Sequence, residues 1–191
     1  MSESPVAVSR PAFVASVATL VLAVVATAVG LAVPGFYRDA PSMVAQLYGQ
    51  DLLTLFVAVP ALAASLYRSV RGSLVGYVVW LGVTGYLLYT YATYAFMTVF
   101  NELYLVYVAL FGLTLFTLVD GLLRADAESL RRRMGDHPVR SYVGFQVLVA
   151  VLVTVLWLAD IVPATLSGAV PASIRGTGVP VNAVHTLDLA V

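Results

Sequence analysis

The run GSLVGYVVWLGVTGYLLYTYATYAF (72–96), broken at Asn101-Glu102 and followed by LYLVYVALFGLTLFTLVDGLL (103–123), decides how this chain folds. As a helix, each run is about the length that crosses a hydrocarbon core of ~30 Å. With so short a polar break between them, the two read as a membrane-spanning hairpin. Tyr86, Tyr89, Tyr91, Tyr94, Tyr104 and Tyr107 are its most distinctive feature.

Composition around the hairpin agrees. With 61% hydrophobic and 10% charged residues and a mean hydropathy of +0.94, the chain departs far from soluble domains, whose charged fraction is ~25%. It reads as an integral membrane protein. All ten basic residues are arginine, so no lysine amine can form a retinal Schiff base. There is no cysteine, which removes disulfides, thiol redox chemistry and thiolate metal sites. Only His137 and His185 are present, both outside the middle of any apolar run; a bis-histidine haem would have no ligands. No cofactor is expected.

Toward the N-terminus, the apolar run 13–33 exceeds the core of a signal peptide and reads as a retained first span, ended by Pro34-Gly35. Residues 37–50 are mixed, with Ser42 able to cap a short interfacial helix and Gly49 able to end it. A second span follows over 52–67, placing Asp51 at its interface. Pro60 should kink this span and leave a carbonyl near Phe56 in need of another donor.

Toward the C-terminus, residues 121–140 read as a connector. Asp126 and Glu128 come early and Arg131 to Arg133 late, an order that suits a short amphipathic helix on anionic headgroups or a solvated linker. A fifth span is expected over 142–162, ended by Pro163, with 164–184 as an outer loop. His185 to Val191 then reads as the first turns of a sixth span, cut short or packed as a re-entrant tail. Arg68, Arg71 and the arginines of 124–140 mark turns that stay cytoplasmic, so the N-terminus is expected inside. The expected fold is an all-α polytopic bundle of antiparallel hairpins in the cell membrane. It has five full spans plus the start of a sixth, in a single domain over 1–191.

Val70-Arg-Gly-Ser-Leu-Val-Gly-Tyr77 matches Val139-Arg-Ser-Tyr-Val-Gly-Phe145 with one gap, a weak internal repeat of the kind stacked hairpins produce. The segments Tyr86-Leu-Leu-Tyr-Thr-Tyr-Ala92, Phe100-Asn-Glu-Leu-Tyr-Leu-Val-Tyr-Val-Ala-Leu110 and Val184-His-Thr-Leu-Asp-Leu189 resemble an uncharacterised family of prokaryotic multi-pass membrane proteins. The resemblance covers most of the chain after Tyr48. It implies a fold with further apolar spans after the last motif, and no activity.

Asp51, Asn101, Glu102, Asp160, His185 and Asp188 all fall near the outer interface in this topology. Together they could bind a cation or exchange protons. The competing reading is that Asp51, Glu102 and Asp188 occupy first turns, where the helix dipole favours acids without any function. Asp160 lies at a helix end that disfavours an acid and needs a partner, His185 or Arg175, unless it reaches water. Asp120 is explained by Arg124 one turn away.

Tyr91, Tyr94 and Tyr104 suit an aromatic belt. Tyr86, Tyr89, Tyr107 and Thr114 lie deeper and are expected to form a buried polar network or line a ligand cavity. Gly72 and Gly76 have the spacing of close helix packing, and Gln146 should bond to a neighbour. No nucleophile with its base is legible, so an enzyme ranks below two other readings. One is a small transport or permeation protein with an outward-facing polar site. The other is a non-catalytic subunit or scaffold that packs against lipid, other membrane subunits or further copies of this chain. The lipid bilayer is the expected partner, and nucleic acid is not.

Overall fold

In a computed structural model, residues 8–126, 128, 139–179 and 181–190 are described. The described residues are helical with turns and contain no strand. The chain divides into two compact units, Met1–Arg133 and Met134–Val191. Among the described residues, five helices are long and apolar enough to cross a membrane.

Unit 1 holds α1 (Arg10–Ala32), α2 (Pro41–Leu53), a π-helical turn (Thr54–Ala58), α3 (Val59–Val70), α4 (Leu74–Met97) and α5 (Tyr104–Arg124). The segments from Pro41 to Val70 form one helix. It packs with α1 and α4, and α5 closes the ring by packing on α4 and α1. Helix starts follow local chemistry. The side chains of Ser9 and Ser73 accept the N–H groups of Ala12 and Gly76, both at 3.1 Å, and Asn101 Oδ1 accepts from Leu103 N–H at 3.0 Å, each satisfying an orphan donor of a first turn. Gly72, at φ +80°, makes the turn between α3 and α4, a conformation that costs glycine little.

The long helix corrects the expected boundaries. Pro41 occupies its first turn, where a missing N–H costs nothing, so Ser42 is not the cap. Gly49 faces open space and the helix runs through it. Pro60 does perturb the helix, through a slip in register: Val59 N–H reaches back five residues to the Thr54 carbonyl. A proline that cannot donate to Phe56 is accommodated by one widened turn.

On α1, the buried residues are small: Ala12, Ser16, Thr19, Ala23, Ala26, Thr27 and Gly30. Their spacing of three and four makes one stripe that admits close neighbours. The valines at 14, 17, 21, 24 and 25 point outward. Leu105 at 76% and Phe116 at 74% exposure continue this apolar exterior on α5. Inside, Trp80 donates to Ser16 Oγ at 3.0 Å and Tyr77 to the Gly121 carbonyl at 2.7 Å. Gly76 packs as its spacing suggests, since a Cβ there would lie 2.6 Å from Arg68 Cβ and 2.9 Å from Ser69 N.

Unit 2 holds α6 (Val139–Ser167) and α7 (Ala183–Ala190), which pack together. Pro163 lies within α6 and does not end it; apolar helices of this length tolerate a proline where the freed backbone groups find other partners. The expected loop over 164–184 therefore begins after Ser167. The expected connector over 121–140, with Arg131 to Arg133, falls largely outside the described residues.

Candidate functional site

At the end of unit 1 that carries loops 33–40 and 98–103, a carboxylate is buried. Asp51 is 2% exposed, and because its helix starts at Pro41, it lies well inside that helix and not in a first turn. The dipole explanation for this acid is thereby lost. Tyr37 Oη donates to Asp51 Oδ2 at 2.6 Å, and Tyr94 Oη lies 2.8 Å from Oδ1 and 3.1 Å from the Leu47 carbonyl. Gly30 of α1 forms the floor: a Cβ there would collide with the Asp51 carboxylate and the Tyr37 hydroxyl. Burial first, then the neighbouring Tyr94 and Asp51, push the Tyr37 phenol far above its ordinary range, so its hydroxyl stays protonated and donates.

The expected network of Tyr86, Tyr89, Tyr107 and Thr114 does not form. Tyr86 instead joins Gln50, whose Nε2 donates to Tyr86 Oη at 2.6 Å and to Thr90 Oγ1 at 2.8 Å, with Thr54 Oγ1 3.3 Å from the same phenol. Tyr89 is 38% exposed on the outer face of α4. Thr114 donates within its own helix, to Leu110 O at 2.7 Å. Tyr107 is buried near Tyr37 and Asn101, yet its hydroxyl completes no hydrogen bond. The expected aromatic belt also changes. Tyr91 and Tyr94 are 1% and 3% exposed and stand beside Tyr107, with ring centroids 6.4 and 5.1 Å away; Tyr104 alone of the three lies outward, against Phe100. The cause is that α4 is apolar all round, so neighbours decide which face turns inward.

Loop 33–40 covers this site and is tied to loop 98–103. Asp39 Oδ1 accepts from Val99 N–H at 2.9 Å, and Arg38 pairs with Glu102 at 3.0 Å on the surface. Glu102 accepts from its own backbone N–H and, secondarily, pairs with Arg38, which holds its carboxyl below the usual range. Asn101 is buried as the turn residue before α5. Neither Asn101 nor Glu102 bonds to Asp51. The buried atoms Asp39 Oδ2, Tyr91 Oη and Tyr107 Oη have no partner among the described residues.

The other three expected site residues meet in unit 2. Asp160 lies well before the end of α6 and clamps the following loop, accepting from Ala172 N–H at 2.9 Å, Ser173 N–H at 3.2 Å and Ser173 Oγ at 2.5 Å. Ser173 Oγ is 3.2 Å from His185 Nε2. The Asp160–His185 association is therefore relayed by a serine, while Arg175 bonds to the Val170 carbonyl. His185 packs on the Trp157 ring at 4.4 Å, and Trp157 Nε1 donates to Asp188 at 2.8 Å. A shallow cleft of about 450 Å³ opens beside His185. Ser173 and His185 form a nucleophile–base contact that sequence reading missed. The carboxylate bonds the serine and not the imidazole, which directs the hydroxyl proton away from a base.

Two local expectations stand. Arg124 Nε donates to Asp120 Oδ1 at 2.9 Å, with Ser9 adding a bond at 2.7 Å, and Gln146 donates to Tyr142 Oη at 2.9 Å within α6. Among the described residues, no three histidines or carboxylates gather as metal ligands. Comparison with protein-family models, with curated proteins and with solved structures gave no significant match.

Proposed function

We propose that this chain is a multi-pass integral membrane protein, N-terminus cytoplasmic, that acts as a small transport or permeation protein. It is of the prokaryotic type that its tyrosine-rich segments resemble. Its arginine-bearing turns at Arg68, Arg71 and Arg124 stay inside, so loops 33–40 and 98–103 face outward, above Asp51. One observation supports the reading. Asp51 is 2% exposed, receives two phenol hydroxyls, and among the described residues bonds to no arginine or histidine. An ionised carboxylate without a cationic partner costs several kcal/mol in such surroundings, so the site calls for a positively charged ligand. Ionisable groups inside membrane helices mark ion and substrate pathways.

The test is reconstitution of the full chain in liposomes, with currents recorded under H⁺, Na⁺ and K⁺ gradients and swelling followed with small neutral solutes. Flux above that of empty liposomes, abolished by Asp51→Asn, is expected. Flux equal to empty liposomes under every gradient defeats the reading.

A second reading, a non-catalytic subunit or scaffold, is favoured by α6. Within unit 2 its aliphatic side chains, among them Leu148, Leu152, Val155 and Leu156, are more than half exposed. Lipid or a partner helix would cover them. Co-purification of a second membrane protein, lost when Leu152 and Leu156 are changed to glutamine, is its expected signature.

A further inference from the structure

We propose that Asp51 is a reversible proton-binding site, and that the proton is the ion handled by the transport reading above, on which the proposal rests. The geometry supplies a bond arrangement for each protonation state. With Asp51 ionised, Tyr37 and Tyr94 donate to its two oxygens, at 2.6 and 2.8 Å. Tyr94 has one proton and two acceptors in reach, Asp51 Oδ1 and the Leu47 carbonyl at 3.1 Å. When a proton is delivered from hydronium to Oδ1, water is released and the new O–H donates to Tyr94 Oη. Tyr94 then turns its own proton to Leu47. Every donor keeps an acceptor, and no heavy atom needs to move.

That interchangeability is what distinguishes the site from a structural carboxylate. An acid whose role is to brace a turn is held by donors that have nowhere else to go, as Asp160 is by two backbone N–H groups. Here the second acceptor is built in. The groups around Asp51 are also suited to a proton and not to a metal cation. Loop 33–40 offers Tyr37 and Asp39, α2 offers Tyr48 against the Tyr37 ring, α4 offers Tyr91 and Tyr94, α5 offers Tyr107, and α1 offers Gly30 with no titratable side chain. Arg38 and Glu102 are occupied with each other at the surface. A hard metal ion wants six or more oxygens, several of them charged, whereas this site has a single carboxylate among phenols. Two buried oxygens without a partner among the described residues, Asp39 Oδ2 of the covering loop and Tyr107 Oη of α5, stand near the site, where they can pass a proton inward.

The experiment is infrared difference spectroscopy of the full chain in lipid nanodiscs, stepped in pH, with no requirement for transport. Expected is a protonated-carboxyl C=O band that grows on acidification and is missing in Asp51→Asn. In Tyr94→Phe the carboxylate loses a donor, so the midpoint should rise by about one pH unit. That variant keeps the test decisive if Asp51→Asn does not fold. A carboxyl band that ignores pH, a response to Na⁺ in place of pH, or a midpoint unmoved in Tyr94→Phe overturns the proposal. A titrating band without flux removes the transport reading and leaves the proton site. Flux without a titrating band does the reverse.

Discussion

Gly30→Ala tests the buried site through a residue that has no chemistry of its own. The added methyl would collide with the Asp51 carboxylate and the Tyr37 hydroxyl and lie 3.0 Å from Tyr37 Cζ. Tyr37 cannot easily retreat, because it is 5% exposed and fixed by edge contacts to Phe36 and Tyr48 at 5.3 and 5.8 Å. The Tyr37–Asp51 hydrogen bond should therefore break. A bond to a charged group contributes ~1.5–3 kcal/mol, and the overpacking adds up to ~1–3 kcal/mol. Against this, alanine gains ~1 kcal/mol over glycine as a helix former. The net destabilisation should be about 1.5–5 kcal/mol. In a Tyr37→Phe background the hydroxyl is already gone, so the same methyl should cost roughly 1.5–3 kcal/mol less. The assay is reversible unfolding of the full chain in bicelles, read as a double-mutant cycle. Additivity of the two substitutions within ~0.5 kcal/mol would refute the claim that Gly30 acts through this bond.

Gly76→Ala should destabilise the α3–α4 turn by ~1–3 kcal/mol, since the methyl meets Ser69 backbone at 2.9 Å, whereas Gly82→Ala, with nothing within 4 Å, should be neutral or stabilising in the same unfolding assay. Asp160→Asn removes the charge that gathers Ala172 and Ser173; hydrogen exchange at those two amides should accelerate about tenfold, and unchanged protection would contradict the clamp. The lowered Glu102 ionisation means that its surface contact with Arg38 is fully present above the ordinary glutamate range and lost as pH falls through the depressed value. A carbon-13 titration of the Glu102 carboxyl should show this, and Arg38→Gln should raise the midpoint only part of the way, because the backbone bond is the larger cause.

Local chemistry was readable where the deciding atoms are close in sequence. Asp120 and Arg124 are four residues apart on one helix, Gly76 follows Gly72 across a turn, and Pro60 cannot donate wherever it stands. The long helix starts at Pro41, one residue before the expected cap Ser42, and runs through the expected stop Gly49, which faces open space. That misreading carried Asp51 to an interface. Its partners Tyr37 and Tyr94 lie 14 and 43 residues away, and no spacing rule connects them. The tyrosines of α4 were misassigned for a related reason. Tyr86, Tyr89, Tyr91 and Tyr94 project around most of the helix, and with apolar neighbours on every side there is no polar contrast to mark the inward face.

The amino-acid sequence by itself determined that this chain forms long apolar helices joined by short turns, because run length, proline, glycine and serine act within one or two helical turns. It also set which turns carry arginine. Only the tertiary structure decided that Asp51 belongs to the core and not to a helix end, that Tyr94 and not Tyr89 faces it, and that a serine stands between Asp160 and His185. Those choices depend on which helices become neighbours, and the packing of side chains from distant segments settles them.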